Sequence, residues 1–400
     1  MKPKLRPVDV KPVTHQGQYG LLLRDPLGLA DKAVIVPPQV IPLLALCDGT
    51  RDVPALRAVL ALRNGIDLSL DIVQRILDQL DDVLLLDNER SAAAYQSAVE
   101  SFRAAPFRAP ASAGAAYPAQ SAQLRALLDA HLDGKDAQPA PAEFRGLISP
   151  HIDYARGGPV YGRLWGQARE MVKTAELVVI FGTDHAGSNS RLTLTRQSYA
   201  TPLGLLPTDQ GVVDDLAQAM GPELAFADEL HHRAEHSIEL AAVWLQHVRG
   251  SQPCPLVPIL CGSFHSFVAG EQHPTEDPAI EAAVQVLREV TAKRRTLVVA
   301  AGDLAHMGPA FDGEPVDVAG RAHLQSRDEL LLQTVCQGKA DQFLQFIKDE
   351  SDRRNVCGVP PIYLTLRVLG ATSGQTVAYD RCPADAEDTS FVSICGVILS

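Results

Sequence analysis

Apolar positions recur along this chain at two different spacings, and the change from one to the other divides it. In the first ninety residues the spacing is helical. Gln39–Cys47 is an apolar helical run stopped by the turn dipeptide Asp48-Gly49, and Asp52 caps a second helix with Pro54 in its first turn. Ser69 opens a third helix that sets Val73, Ile76, Leu77 and Leu80 at i, i+3, i+4 and i+7 on one face, after which Val83–Leu86 reads as a short strand. Three short helices and a β-wing make a winged-helix pattern. From residue 117 onward short apolar runs alternate with helical ones. Leu147–Ser149, Leu177–Phe181, Leu256–Leu260, Leu297–Ala301 and Val392–Val397 read as buried strands. Pro159–Arg169, Gln210–Met220, Ser237–His247, Glu281–Ala292, Gln325–Gln337 and Ile362–Leu369 read as helices, so the larger part is an α/β layer fold.

Between the two patterns lie alanine- and proline-rich stretches, Ala104–Ala116 and Gly134–Glu143, whose composition reads as linker or surface loop. The expected organisation is a small domain over residues 1–100, a linker over 101–116 and a large domain over 117–400. Composition narrows the function classes. The 400 residues are 46% hydrophobic and 21% charged, an ordinary globular balance. No apolar run approaches the roughly 18–20 residues of a membrane span, and Met1–Val10 mixes charges and prolines, so no membrane association and a cytoplasmic location are expected. The net charge of −12 falls almost wholly on the large part and shows no basic patch, which argues against a nucleic-acid partner. Seven scattered cysteines without CxxC spacing exclude a disulfide framework and a zinc ribbon. Homodimerisation is a base-rate expectation.

Candidate chemistry collects after the predicted strands, where open α/β sheets place their ligands. Ser149 runs into Pro150-His151-Ile152-Asp153-Tyr154, Phe181 into Gly182-Thr183-Asp184-His185, and Ala301 into Gly302-Asp303-Leu304-Ala305-His306. One histidine after a strand is more commonly a hydrogen-bonded structural residue, but three on one rim point to a metal site. Glu235-His236-Ser237-Ile238-Glu239, at a predicted helix start, and Asn355-Val356-Cys357-Gly358, before another, add candidate ligands and bases. Cys357 is a soft ligand or a nucleophile, its thiolate favoured by a helix dipole. His231 and His232 read as a solvated turn, while Cys254 and Cys261 read as packed thiols.

The phrases Ala115-Ala116-Tyr117-Pro118, Ser149–Tyr154 with Gly158-Pro159-Val160, Gly182–His185, Glu235–Glu239, Pro258-Ile259-Leu260, Gly302–His306 and Cys357-Gly358 with Pro361-Ile362 resemble, in order, the Memo family, including protein B of the AmmeMemoRadiSam system. That resemblance implies a class III extradiol dioxygenase-like fold. It also implies a metal site on His151, His185 and Cys357, with His236, Asp303 and His306 as catalytic residues lining the same cleft. The dioxygenases complete their site with a carboxylate; a thiolate is softer and moves preference toward copper(I) or zinc while still allowing iron(II), the expected metal. Thr183-Asp184 stands where the family usually has Pro-Ser or Pro-Asn, and Asp184 could orient a ligand imidazole or add charge beside the metal. The expected function is a non-haem iron, or copper, redox enzyme of dioxygenase type in a peptide- or RNA-modification pathway. A non-catalytic metal-binding or peptide- or partner-binding scaffold is the alternative. Substrates would be small molecules or peptides, and the resemblance implies a radical S-adenosylmethionine protein and an AMMECR-type protein as partners. Residues 20–90, through the apolar helix entering Cys47-Asp48-Gly49-Thr50, resemble PqqD-like peptide-binding domains; a small helical domain that steadies the large one is the other reading.

Overall fold

The structure is a computed structural model describing residues 2–15, 17–30, 33–132, 145–187, 191–250, 252 and 254–400. The stretch Gly134–Glu143 lies outside the described residues. The chain forms two compact units, Met1–Ala104 and Ala105–Ser400.

In the first unit an antiparallel meander of β1 (Asp9–His15), β2 (Gln18–Arg24) and β3 (Val34–Val36) precedes α1 (Ile41–Leu46), α2 (Val53–Asn64), α3 (Leu70–Asp82) and α4 (Glu89–Ala104). The expected caps form: Asp52 accepts from the Ala55 amide, and Ser69 from that of Ile72. Val73, Leu77 and Leu80 meet Leu56, Leu60, Leu43 and Leu23 in one core. The expected strand Val83–Leu86 does not form. Leu84 sits at φ 56°, which breaks an extended run, and Leu86 makes only an isolated bridge to Leu5. The β-structure of this unit therefore lies ahead of the helices, not behind the third.

In the second unit, α5 (Ser121–Leu132) is followed by β4 (Gly146–Ser149), α6 (Tyr154–Gln167), α7 (Arg169–Thr174) and β5 (Leu177–Thr183). The short strands β6 (Leu192–Leu194), β7 (Tyr199–Thr201) and β8 (Gly204–Leu206) come next, then α8 (Gln210–Met220), α9 (Pro222–Ala225) and α10 (Ser237–Arg249). After β9 (Leu256–Cys261), α11 (His265–Val268) and α12 (Pro278–Lys293) come β10 (Thr296–Ala301) and β11 (His306–Met307). The chain closes with α13 (Val318–Cys336), α14 (Ala340–Asp349), α15 (Val359–Leu369), β12 (Gly374–Pro383) and β13 (Phe391–Leu399).

One mixed sheet runs β11-β13-β4-β10-β5-β9-β6, with β12 paired to β13. Its four central strands β4, β10, β5 and β9 are parallel. They are buried on both faces, which explains why they read as unbroken apolar runs. Side chains alternate between layers: Val179 and Phe181 of β5 pack with α8 and α12–α15, while Val178 and Ile180 pack with α5, α6 and α10. This is the class III extradiol dioxygenase-like α/β architecture. Among the described residues no helix is long and apolar enough to cross a membrane.

The stretch expected as a linker, residues 101–116, is ordered instead. Its first four residues end α4, and Arg108, 1% exposed, is buried in the second unit. There Arg108 pairs with Glu239, donates to the carbonyls of His232 (2.8 Å) and Glu235 (2.6 Å), and lies 5.0 Å from the Tyr199 ring centre. Glu239 also accepts from the Ala111 and Ser112 amides, both at 2.9 Å, and from the Tyr117 hydroxyl. Alanine and proline composition predicts a loop correctly but is blind to one buried arginine that anchors it.

Candidate functional site

Strands β4, β10 and β5 are neighbours, so their carboxyl ends deliver His151, Asp303 and His185, each two residues beyond a strand, to one rim. Cys357 joins them from the loop just before α15. That loop is held close. Gly358 donates its amide to the Asp303 carbonyl at 2.9 Å, Thr183 Oγ1 donates to the Cys357 carbonyl at 3.1 Å, and a Cβ on Gly358 would sit 2.5 Å from the Asp303 oxygen. The start of α10 is clamped to β5 in the same way: Ser237 Oγ donates to the Thr183 carbonyl at 2.9 Å, and a Cβ on Gly182 would meet that hydroxyl at 2.5 Å. This contact sets Glu235-His236 over His185.

The hydrogen bonds fix which imidazole nitrogens carry protons. His151 Nδ1 lies 3.0 Å from the Ala301 carbonyl, an acceptor only, so Nδ1 is the donor and the Nε2 lone pair faces Cys357 Sγ at 3.3 Å. His185 Nδ1 lies 3.1 Å from the Glu235 carboxylate, and the ring stands near Cys357. One donor atom each from His151, His185 and Cys357 lies within 4.8 Å of the others. A tetrahedral first-row ion with bonds of roughly 2.0–2.1 Å to nitrogen and 2.3 Å to sulfur separates the two donors by about 3.5 Å. The residues present therefore fit a metal. The His236 ring stands beside them, its centre 5.2 Å from His151 and 4.8 Å from His185, almost parallel to the latter at 20°.

Burial, reinforced by the charges of His185 and His236, holds His151 well below the ordinary histidine range, which keeps its imidazole neutral. Burial also works against a charge on His185, but the Glu235 carboxylate and the Cys357 thiol outweigh it and raise this imidazole well above that range. Glu235 mirrors this: burial would raise it, and His185 and His236 hold it well below. Burial pushes the Cys357 thiol up, with His185 opposing. Asp303 accepts from the His151 amide at 2.8 Å, and burial raises its carboxyl to about 6.

The structure thus brings His151, His185, Cys357, His236 and Asp303 together. His306 is placed differently. Its ring lies between the Leu304 and Asn355 carbonyls and against Phe311, and burial lowers it to about 4. It ties the loop after β10 to the one that carries Cys357. Three residues fall elsewhere than expected. Asp184 orients no ligand imidazole and pairs instead with His231 at 2.7 Å, both buried. His232 is fully buried between the Tyr199 hydroxyl (2.6 Å) and the Thr193 carbonyl (3.0 Å). The two histidines are not a solvated turn: His231 is held by Asp184, and His232 by strands β6 and β7, too short to read in the sequence. Glu235 was visible only as a member of its phrase; an acid directly before a histidine at a helix start was its signal.

Residues 108–398 match the model of the Memo-like protein family. A MEMO1 family protein of Aquifex aeolicus is 25% identical over 406 residues, covering all of both chains. A MEMO1 family protein of Methanopyrus kandleri is 30% identical over 286 residues, covering 68% of this chain and 91% of the relative, and one of Methanosarcina acetivorans is 28% identical over 291 residues, covering 71% and 96%. The match begins at Arg108, the residue whose buried ion pair opens the second unit, and runs through every strand of the mixed sheet: the chain belongs to the Memo-like family.

Proposed function

We propose that this protein is a metal-dependent oxidoreductase of dioxygenase type whose ion is held by His151, His185 and Cys357, with iron(II) ahead of copper and zinc. The observation that carries the proposal is the approach of His151 Nε2 to Cys357 Sγ at 3.3 Å, with the ring's other nitrogen committed to the Ala301 carbonyl. A thiol that burial pushes up is poorly suited to act as a free nucleophile, which supports Cys357 as a ligand, since coordination deprotonates a thiol outright. When bound, the metal supplies Lewis acidity and one-electron chemistry, and three protein donors leave positions open to small molecules.

The chain's own residues handle binding and protons. His236 lies 3.1 Å from the Glu235 carboxylate, so when its ring takes a proton from a substrate hydroxyl in the cleft the carboxylate stabilises the imidazolium that results. Asp303, at about 6, holds or releases a proton near neutral pH. His306, whose backbone amide donates to the Arg354 carbonyl at 2.7 Å, braces the Cys357 loop.

Oxygen uptake tests this reading. The 400-residue protein loaded anaerobically with iron(II) and mixed with oxygenated buffer containing catechol as probe should consume oxygen faster than iron(II) alone. Cys357→Ala should abolish the excess, and His236→Asn should reduce it by about 10²–10⁴-fold. Equal uptake by wild type and Cys357→Ala would overturn the reading and leave a scaffold that binds metal or a partner.

A further inference from the structure

We propose that the second unit carries an anion pocket where strands β4 and β10 begin, at the end of the sheet opposite His151 and Asp303, and that it takes a phosphomonoester, a small molecule bearing a dianionic phosphate on an apolar body. None of its residues belongs to the cleft described above, so the proposal stands whether or not that cleft holds a metal.

A cavity of about 390 Å³ opens there, within the size range of small-molecule sites. Among the described residues four cations line it and no acid does. Arg145 stands immediately before β4, while Lys293, Arg294 and Arg295 join the end of α12 to the start of β10. The parallel pairing of the two strands brings these distant segments together, so the expectation that the large part has no basic patch fails here: the patch is made by the fold and leaves no run in the sequence. The backbone around it is fixed. Arg145 donates its amide to the Leu399 carbonyl at 2.8 Å and accepts from the Val298 amide at 2.9 Å, and the Arg295 carbonyl accepts from the Glu176 amide at 2.8 Å. The acids beside the pocket are already engaged. Asp209 accepts from Arg294 at 2.7 Å, and the Glu176 carboxylate accepts from the Arg295 amide at 3.1 Å. Among the described residues the side chains of Arg145, Lys293 and Arg295 make no ion pair and no hydrogen bond, so three positive groups face one cavity without a counterion and repel one another.

Basic residues at the end of a helix commonly answer the negative end of its dipole, and Lys293 and Arg294, closing α12, fit that role. Arg145 does not, because it enters from a strand. The chain as a whole carries −12, so this local excess of cations runs against its own field and acts on an anion only at short range. The charge count then selects the ligand. A guanidinium presents two parallel N–H groups to two phosphate oxygens, and three unpaired cations suit a dianion better than a carboxylate. Met171 and Leu297, 3% and 1% exposed, supply apolar wall for the rest of the molecule. A nucleic-acid backbone needs cations strung along a surface to meet successive phosphates, whereas these are gathered in one cavity.

Calorimetric titration of the 400-residue protein at low ionic strength tests the pocket, with phenyl phosphate as probe and with inorganic phosphate and phenol each supplying one half of it. Phenyl phosphate should bind at one site per chain, about 10-fold or more tightly than either half. Arg145→Gln and Arg295→Gln should each weaken it about 10–100-fold, the loss that follows removal of a charge-assisted hydrogen bond. Both arginines are exposed, so the variants should melt as wild type does, and Lys293→Gln carries the test should either fail to fold. Arg163→Gln removes the same charge from the exposed side of α6, outside the pocket, and should bind as wild type. Absence of phenyl phosphate binding, unchanged affinity in the pocket variants, or an equal loss in Arg163→Gln would overturn the proposal. An oligonucleotide that binds more tightly than phenyl phosphate and is lost in the same variants would overturn it too, and would make this face a nucleic-acid contact.

Discussion

At the scale of single side chains, buried histidines tie the stability of this fold to pH. His232 is fully buried and burial lowers it to about 3, against 6.5 for an ordinary histidine. The unfolded chain binds a proton at this residue below pH 6.5, whereas the folded chain does not until about pH 3, so the unfolded state carries more protons throughout that window. Stability should therefore fall as pH drops from 6.5 to 3, on the order of 4 kcal/mol from this group. In denaturant titrations across that range, His232→Gln should lose less stability per pH unit than wild type, by close to one proton, about 1.4 kcal/mol. Equal acid slopes would contradict the assignment. The ion pair of Arg108 and Glu239, with both side chains fully buried, predicts that Glu239→Gln lowers unfolding free energy by about 3–5 kcal/mol, because the guanidinium is left uncompensated. Loss within about 1 kcal/mol would show that the pair is not held as the structure has it. At this scale the sequence was informative where residues follow strands, as His151 and His185 do. It was silent where burial depends on short pieces such as β6 and β7, as for His232, or on one residue in a low-complexity stretch, as for Arg108.

The elements that carry the site were legible almost entirely. Central strands buried on both faces print apolar runs, and β4, β5, β9 and β10 lie where those runs predict. Less visible were the order of the strands, with β10 inserted between β4 and β5, and the close seam between that strand's end and α15. The seam depends on having no side chain at two positions. A Cβ on Gly302 would lie 2.6 Å from the Gly358 Cα, and one on Gly358 would lie 2.5 Å from the Asp303 carbonyl. Gly358 has φ −75°, open to any residue, so the constraint is contact and not conformation. Gly358→Ala should therefore cost about 1–3 kcal/mol of stability and displace Cys357 from His151, lowering metal stoichiometry along with the thermal midpoint. A variant that melts earlier yet binds metal as wild type does would show that the seam supports the fold alone. In the first unit, period and capping located α1–α3, whereas the meander Asp9–Val36 was missed and the strand at Val83–Leu86 was expected in error because αL geometry at Leu84 leaves no signature in an apolar run.

For the molecule as a whole, binding to the folded state alone ties metal to stability. A ligand at a hundredfold excess over its dissociation constant adds about 2.7 kcal/mol. Anaerobic iron(II) should raise the melting temperature of the full chain and leave that of Cys357→Ala unmoved; equal shifts in both would place the metal elsewhere. The central claim, that the ends of β4 and β5 and the loop before α15 hold one metal ion between His151, His185 and Cys357, is tested most directly by metal content. Wild type and Cys357→Ala would be purified side by side without oxygen and analysed by elemental mass spectrometry, with iron-sensitive spectroscopy on the same samples. The account predicts close to one iron per chain in wild type and a loss of most of it in the variant. Wild-type protein without metal, or a variant that retains its full complement, would contradict it.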